Sequence, residues 1–393
     1  MTTNFSKLLL KERRLILIFG ITTISVMGVA SFMSAYPKIA DYFKITPAQV
    51  SLISAVFTLP GLLITPILGI LADKFGRKRI ILPALLLFAV AGFLISFVND
   101  FNLFLLLIFI QGIGAAPLGA LNVTLISDFF QGKERATALG YNGTILNLST
   151  TIYPILGGLL AGFGWRYPFL LPLLSFLVFF PVLWFLKENK VSSINQKSYF
   201  KQLNKNFWNP HILGIYLTVF FTFFILFGTL ISYMPFLIKN LGNNQPFFIG
   251  LQVATMSVSA AISSSLLSKW LNFFTQKKLL LIAFLLYSIS ILGFILFKNP
   301  NLFFISTIIF GIGHGVNIPT LTSILSHSVP KENLAGFMSF LRAFSLLGQT
   351  TAPIIFSIFY NKFGMESVFI FGICIGLLSL FSILFLIKNI QLD

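Results

Sequence analysis

The chain has 393 residues, of which 56% are hydrophobic and only 9% are charged. Soluble domains carry about 25% charged residues, so this composition excludes an ordinary soluble protein and predicts an integral membrane protein. The formal net charge of +17 does not indicate nucleic-acid binding, because the basic residues are concentrated in short segments between apolar runs. Such segments set membrane topology and face anionic lipid.

The residues used in catalysis and metal binding are sparse. The single cysteine, Cys374, lies in an apolar run, which excludes a disulfide framework and a cysteine metal site. The three histidines have no Ser, Cys or carboxylate partner at a recognisable catalytic spacing. We therefore expect neither an enzyme nor a bound metal or cofactor. The first apolar run is too long for a signal peptide, so we expect no cleaved leader.

Hydropathy predicts twelve membrane-spanning helices, because twelve apolar runs each approach or exceed the roughly 20 residues that cross a bilayer. The fold class is therefore an all-α integral membrane protein. The predicted boundaries are 14–36, 48–71, 80–98, 102–126, 136–162, 165–187, 211–238, 247–268, 277–297, 301–325, 333–360 and 365–388.

The basic residues predict the topology of these spans. With the amino terminus in the cytoplasm, 20 of the 27 Lys and Arg fall in cytoplasmic segments and six in external loops. Basic residues are enriched in cytoplasmic loops. We therefore predict a multi-pass protein of the cytoplasmic (inner) membrane with both termini in the cytoplasm. The remaining basic residue, Arg342, falls inside the eleventh predicted span.

The longest polar stretch divides the spans six and six. It predicts an N-terminal bundle over 1–187, a cytoplasmic linker over 188–210 and a C-terminal bundle over 211–393. The linker's aromatic residues, spaced among lysines, predict either a short interfacial helix or a solvated flexible segment. A degenerate repeat also relates the two bundles, since Gly69 to Asp73 has a counterpart in Ser265 to Lys269.

A compact charged loop joins the second and third predicted spans. It reads Gly-Ile-Leu-Ala-Asp-Lys-Phe-Gly-Arg-Lys-Arg over residues 69–79. An ordinary loop of a cytoplasmic face needs neither the Asp nor the spaced glycines. The string resembles the signature loop between helices 2 and 3 of the Major Facilitator Superfamily, Gly-x-x-x-Asp-Arg/Lys-x-Gly-Arg-Arg/Lys. The matching residues are Gly69, Asp73, Lys74, Gly76, Arg77 and Lys78.

This resemblance implies a transporter with two six-helix bundles that works by alternating access and binds its substrate near the midplane. The loop would act as an inner latch. In that role Asp73, Arg77 and helix ends across the two halves would hold the outward-open state closed on the inside.

The fourth and fifth predicted spans extend the resemblance to drug/proton antiporters of the superfamily. Gln111 to Ala116 and Ile126 to Phe130 are similar to the fourth helix of that branch, but Ile108 replaces the family's Arg that is often assigned to proton coupling. The fifth span resembles the antiporter motif Gly-x8-Gly-x3-Gly-Pro-x2-Gly-Gly, with Ser149 and Tyr153 replacing two glycines. The resemblance implies close helix packing at Gly140, Pro154, Gly157 and Gly158. Tyr153 indicates either a filled interface or a phenol that faces the cavity.

Ionisable groups inside a membrane are costly and usually functional. All ten acidic residues map to a loop or a helix end, whereas His314 and Arg342 lie within the tenth and eleventh spans. We therefore expect a neutral to positive cavity that takes neutral, zwitterionic or anionic amphiphiles rather than quaternary amines. His314 is either a proton carrier or a neutral histidine bonded between helices. Arg342 is either a clamp for a substrate anion or a structural group that reaches the interface.

Other polar side chains on the predicted spans are candidates for the substrate cavity. Each amide or phenol either faces substrate or bonds between helices. Phe57, Phe220 and Phe224 are candidates for an aromatic wall. The polar candidates are Tyr36, Asn122, Asn142, Asn147, Tyr216, Gln252, Asn317 and Gln349.

These observations predict a monomeric secondary active transporter that exports small amphiphilic compounds, with proton antiport as one coupling mechanism. Its predicted partners are a small-molecule substrate, protons and membrane lipid, and no nucleic acid. The alternatives are an uptake carrier for a small metabolite or nutrient, and a uniporter.

Overall fold

The structure is a computed structural model that describes residues 13–186, 209–330 and 334–387. Within these ranges the chain forms helices and connecting turns without any strand, and twelve helices are long and apolar enough to cross a membrane. The predicted all-α class is confirmed. The spanning helices are α1 (Arg13–Phe43), α2 (Pro47–Phe75), α3 (Arg77–Ile95), α4 (Phe101–Phe129), α5 (Gly132–Phe163), α6 (Tyr167–Phe185), α7 (Pro210–Asn240), α8 (Pro246–Ser265), α9 (Gln276–Leu296), α10 (Pro300–Ser328), α11 (Leu334–Phe363) and α12 (Met365–Leu386).

Four of the spans contain irregular turns, and in α10 this is the 3₁₀ turn Pro300–Leu302 at its start. In α1 a 3₁₀ turn at Met33–Ala35 separates the main helix from Tyr36–Phe43. Helix α6 starts as a 3₁₀ helix, Tyr167–Leu174, and this stretch contains two prolines, which cannot donate backbone hydrogen bonds. In α7 the residues Leu226–Ile231 form a π-helical turn. The first and seventh spans are therefore both interrupted in their carboxyl-terminal halves.

The described helices group into two compact units. The first unit holds residues 13–35 and 56–186, and the second holds residues 36–55 together with 209–330 and 334–387. The end of α1 and the start of α2 therefore belong to the second unit, although they precede the predicted linker. Residues 188–208 of the predicted linker 188–210, with its predicted interfacial helix, lie outside the described residues, and α7 begins at Pro210.

Residues 36–55 are held in the second unit by polar contacts as well as packing. The Ser51 hydroxyl donates to the carbonyl of Pro353 over 3.3 Å. Lys239 and Asp41 form an ion pair with an Nζ–Oδ1 distance of 2.5 Å, but the Asp41 side chain is 63% exposed. An ion pair this exposed contributes at most about 1 kcal/mol. Helix packing therefore accounts for most of this attachment.

Glycines allow the closest approaches between helices in both units. In the first unit a side chain at Gly157 of α5 would collide with the backbone carbonyl of Ser31 in α1. In the second unit a side chain at Gly315 of α10 would collide with the carbonyl of Ala260 in α8. Such backbone contacts are typical of helix pairs in membranes, where small residues replace the hydrophobic driving force.

The other predicted packing residues of α5 differ in their surroundings. Pro154 is buried and its carbonyl accepts a hydrogen bond from Ser34, and Gly158 is buried. A Cβ at Gly140 would meet no atom within 4 Å, so the described residues make no close helix contact there. Tyr153 is 4% exposed and lies in the hydrophobic core of the first unit. This placement agrees with the filled interface rather than with a phenol that faces a cavity.

Matching contacts in the two units reflect the internal repeat. Lys78 at the start of α3 donates to the carbonyl of Leu183 in the last turn of α6, over 2.6 Å. Lys277 at the start of α9 donates to the carbonyl of Leu384 in the last turn of α12, over 2.7 Å. In each unit a cation meets the negative end of the sixth helix, which stabilises the helix terminus.

Candidate substrate and proton sites in the membrane spans

Carboxylates lie at the ends of the spans wherever their side chains are described. Asp100 caps α4 by accepting from the Leu103 amide, Asp128 lies in the last turn of α4, and Glu134 and Glu366 lie in the first turns of α5 and α12. Asp41 lies in the short helix that ends α1. The remaining acids, among them Asp73, have side chains outside the described part of the chain. The described membrane interior therefore holds no carboxylate.

The signature loop is partly described. Gly76 has a φ of +93°, a conformation that favours glycine and separates α2 from α3. Arg77 forms an ion pair with Asp128 at the end of α4, and its second contact with that carboxylate, Nη2 to Oδ1, measures 3.5 Å. Gly69 lies within α2, and the Asp73 side chain lies outside the described residues. Arg77 thus meets a helix end of its own unit, and a latch across the two halves stays a prediction.

A cluster of neutral polar groups joins three helices of the first unit. The Thr22 hydroxyl of α1 donates to the amide oxygen of Asn142 in α5 over 2.6 Å. The amide nitrogen of Asn122 in α4 donates to the same hydroxyl over 3.3 Å. All three side chains are buried, so they bind the helices together rather than presenting free groups. Asn147 of α5 is instead exposed, and no described residue bonds to its side-chain amide.

A second cluster, in the second unit, contains His314. The Asn317 amide of α10 donates to the Thr222 hydroxyl of α7 over 2.6 Å and to the Tyr287 hydroxyl of α9 over 3.1 Å. The Tyr287 hydroxyl lies 3.3 Å from Nδ1 of His314. We call these four residues the His314 cluster. It joins α7, α9 and α10.

The hydrogen-bond directions in the His314 cluster follow from Thr222, the residue at the end of the cluster farthest from His314. The Thr222 hydroxyl donates to the carbonyl of Thr218 over 2.8 Å, so it must accept from Asn317. This orients the Asn317 amide, whose nitrogen then also donates to Tyr287. The Tyr287 proton is free to reach His314, and Nδ1 of a neutral His314 accepts it. The ring proton of this neutral histidine is therefore on Nε2, which no described residue contacts through a hydrogen bond.

The surroundings of the His314 ring are aromatic. The ring meets Phe223 edge-on with centroids 6.0 Å apart, and Phe310 lies 6.3 Å away in a stacked arrangement. No charged side chain of the described residues makes an ion pair or hydrogen bond with His314. The side chain is half-buried, so the ring is only partly covered.

Arg342 is exposed although it lies within α11. Its guanidinium makes no hydrogen bond or ion pair with any described residue. The second unit has two acids with described side chains, Asp41 and Glu366, which pair with Lys239 and Lys298. The guanidinium therefore lacks a counter-ion within the described part of its unit.

Most of the other predicted cavity residues are engaged between helices. Tyr36 bonds to Ser54 over 2.5 Å, Tyr216 donates to the carbonyl of Phe337 over 3.2 Å, and Gln252 donates to the carbonyl of Pro300 over 3.3 Å. All three of these predicted residues are fully buried. Gln349 of α11 is 7% exposed and has no hydrogen-bond partner among the described residues. Gln349 and Arg342 are therefore two polar groups in the body of α11 that have no partner among the described residues.

The predicted aromatic wall also packs against other helices. Phe57 fills the space beside Gly28 and meets Phe32 edge-on at 5.8 Å. Phe224 of α7 meets Phe356 of α11 with centroids 5.3 Å apart, and Phe220 lies 5.3 Å from Phe224 on the same helix.

Three polar residues of these sites were missed by reasoning from the sequence. Thr22, Thr222 and Tyr287 lie in apolar runs, where such residues are common and carry no motif. One signal was available, because His314 and Asn317 are three residues apart and share a helix face. Gln111, part of the α4 motif, is fully buried with neither amide atom bonded to a described residue.

These features define a multi-pass helical membrane protein with twelve spans and with matching lysine–carbonyl contacts in its two units. A family model for the Major Facilitator Superfamily matches residues 18–247 and 243–391. The chain belongs to the Major Facilitator Superfamily, and it is therefore a membrane transporter of the inner membrane with a small-molecule substrate.

The relatives carry names of efflux proteins. The chain is 25% identical to the bacillibactin exporter of Bacillus subtilis (strain 168), over 95% of this chain and 96% of the relative. It is 29% identical to the multi-drug resistance efflux pump PmrA of Streptococcus pneumoniae, over 93% of each. Among solved structures it is similar to a mutant of the nucleoside transporter NupG, with a TM-score of 0.79 at 13% identity over 96% of this chain and 100% of that chain. The chain thus resembles the multidrug-efflux branch, and NupG supports the fold.

Proposed function

We propose that the protein exports small neutral or anionic amphiphiles by alternating access. One observation carries this proposal: the described spans hold the unpaired cation Arg342, while every described carboxylate lies at a helix end. A cavity of this charge attracts anions and tolerates neutral compounds, and it lacks the carboxylate that would neutralise a lipophilic cation. The efflux names of the relatives support export as the direction.

We propose further that His314 carries the coupled proton. In the neutral state Tyr287 donates to Nδ1 of His314. Protonation of Nδ1 would place two hydrogens between these atoms, so the Tyr287 proton would have to turn away. The change would spread through Asn317 to Thr222 and would alter the contacts among α7, α9 and α10. In this way a proton on one side chain would bias the packing of three helices.

The test is substrate-induced pH change in proteoliposomes, with neutral, anionic and cationic amphiphiles as probes. We expect neutral or anionic probes to move protons with the wild type and His314→Gln to abolish that proton movement. The matched control is His327→Gln, because His327 is exposed in the last turn of α10 and bonds only locally. Proton movement retained by His314→Gln would return His314 to a structural role. Probe flux without any proton movement in the wild type would favour a uniporter.

The direction of transport is tested in the same vesicles. We expect probes to accumulate in inside-out vesicles that carry an acidic interior, because an exporter exchanges internal protons for substrate. Accumulation only in right-side-out vesicles would instead establish an uptake carrier for a metabolite or nutrient.

The inner latch is proposed for the signature loop. Arg77 of this loop forms an ion pair with Asp128, which connects the start of α3 to the end of α4. We expect Asp73→Asn to shift the conformational equilibrium toward the inward-open state and to slow transport. The populations are measurable by distance-sensitive spin labels on the outer and inner loops. Unchanged transport and unchanged populations would exclude the latch.

A further inference from the structure

Arg342 lies deep enough in α11 to need a polar environment. It is the ninth residue of the helix, which places it about 12 Å along the axis from Leu334. A guanidinium turned toward lipid hydrocarbon at this depth is costly. Since the side chain is exposed and unpaired among the described residues, it must reach water, a headgroup or a soluble anion.

The direction of the Arg342 side chain follows from the packing of α11 on α7. Tyr216 of α7 stacks on Phe344 with centroids 5.0 Å apart. A side chain at Gly348 would collide with the backbone of Phe220, also in α7. These two positions lie about 200° and 240° around the helix from Arg342. Arg342 therefore projects from the side of α11 opposite to α7.

Gln349 shares this side of the helix. It is seven residues after Arg342, so it lies within about 20° of the same direction and about 10 Å further along the axis. Its amide also has no bond to a described residue, although the side chain is only 7% exposed. An unbonded amide in a membrane protein is unfavourable unless a ligand or water satisfies it. The two residues thus form a pair of unoccupied donors on one helix face.

From this arrangement we infer that α11 carries the anion subsite of the transport path, in which Arg342 binds the acid group of an amphiphilic organic monoanion. The inference rests on the proposed function and narrows its substrate class. A carboxylate fits the planar guanidinium because two parallel N–H donors can meet its two oxygens. Gln349 then bonds to a neutral polar group on the body of the same molecule. The depth of Arg342 favours a soluble organic anion over a lipid phosphate.

The test uses a matched pair of fluorescent probes, dansylglycine and its primary amide, which differ only by the charge of one group. Binding is measured with the protein in phosphatidylcholine vesicles, so that no anionic lipid competes. We expect the wild type to bind the carboxylate at least tenfold more tightly than the amide. Arg342→Gln should remove this preference, and Arg342→Lys should retain part of it. Gln349→Leu should weaken both probes by a similar factor.

The control is Lys362→Gln, which removes a cation of the same helix from its exposed last turn. We expect it to keep the preference for the carboxylate. A wild type without the preference, or an Arg342→Gln variant that retains it, would overturn the inference. If anionic phosphatidylglycerol added to the vesicles removes dansylglycine binding, a lipid headgroup is the occupant and the inference is also overturned.

A second measurement does not depend on the choice of probe. In a Cys374→Ser background, we expect Arg342→Cys to react with water-soluble thiosulfonates. A thiol that resists these reagents in the folded protein would show that position 342 does not face water, which excludes the subsite. Probe flux in the same vesicles is scored separately. Export of the amide without a carboxylate preference would refute this inference alone, whereas selective binding without flux would refute the proposed exporter alone.

Discussion

Each unit uses a threonine and an asparagine to join its first and fourth spans, but the two units complete this contact differently. In the first unit Thr22 and Asn122 bond directly, and a third neutral residue, Asn142, completes the cluster by accepting from Thr22. In the second unit the pair Thr222 and Asn317 continues to Tyr287 and His314. The first cluster is buried and closed. The second ends in a half-buried imidazole, which can gain a proton.

The same contrast appears where the third helix of each unit begins. Arg77 of α3 forms an ion pair with Asp128, whereas Gln276 of α9 donates from its amide to the Ser323 hydroxyl over 2.9 Å. In the first unit the charges neutralise each other at the helix ends. In the second unit the cation Arg342 stands without a described partner. The repeat thus preserves helix packing, while the chemistry available to a ligand and a proton is concentrated in the second unit.

Substitutions that disrupt the close helix packing found in both units should reduce stability the most. Gly157→Leu and Gly315→Leu should each destabilise the protein by about 3 kcal/mol, because the new side chain meets a backbone carbonyl that cannot move aside. Melting temperatures in detergent measure this loss of stability. Gly140→Ala is the control, and it should change stability by less than about 0.5 kcal/mol since its surroundings are open. Equal loss in all three variants would contradict this view of the packing.

Smaller losses of stability should distinguish the ion pair at the start of α3 from the neutral hydrogen bond at the start of α9. Asp128→Asn should cost about 2 kcal/mol, because it removes a carboxylate charge that pairs with Arg77, whose side chain is 10% exposed. Gln276→Leu should cost about 1 kcal/mol, the usual contribution of one neutral hydrogen bond. Denaturant unfolding of both variants, read against the wild type, gives the two values. A cost for Gln276→Leu as large as that for Asp128→Asn would remove the distinction.

The two threonines distinguish the closed cluster from the one that ends in His314. Thr22→Val and Thr222→Val should each destabilise the protein by about 1 kcal/mol, since each removes a buried hydroxyl that makes two hydrogen bonds. Only Thr222→Val should also change the pH dependence of transport, because it frees the Asn317 amide that orients Tyr287 toward His314. Rate against pH in proteoliposomes is the measurement. If Thr22→Val shifts the profile equally, the His314 cluster has no special part in coupling.

The exposed ion pair of residues 36–55 should matter least. Asp41→Asn should reduce stability by less than about 1 kcal/mol, and added salt should remove the difference, because exposed charges are screened. Melting temperatures of the variant and the wild type at low and high salt measure this difference in stability. A loss that persists in high salt would mean that the pair contributes more than its exposure indicates.

The spans, and the placement of the described carboxylates at their ends, were predictable from the sequence, because a bilayer leaves no alternative to long apolar helices. The site was only partly predictable. His314 and Arg342 stood out as ionisable residues inside spans, but nothing in the sequence distinguished Asn122, buried against Thr22, from Asn147, which is exposed. Amides in apolar helices look alike until the helix faces are known.

The order of the amino acids was enough to establish the family, the twelve helices and the set of groups that can carry charge in the membrane. These properties depend on composition and on motifs that act locally, at a bilayer boundary or a turn. The folded arrangement decided which polar groups form hydrogen bonds with neighbouring helices and which remain without a described partner. Tyr216 is bonded to the carbonyl of Phe337 in α11, 121 positions away, and Gln349 has no described partner, because contacts between such distant residues depend on how the helices pack.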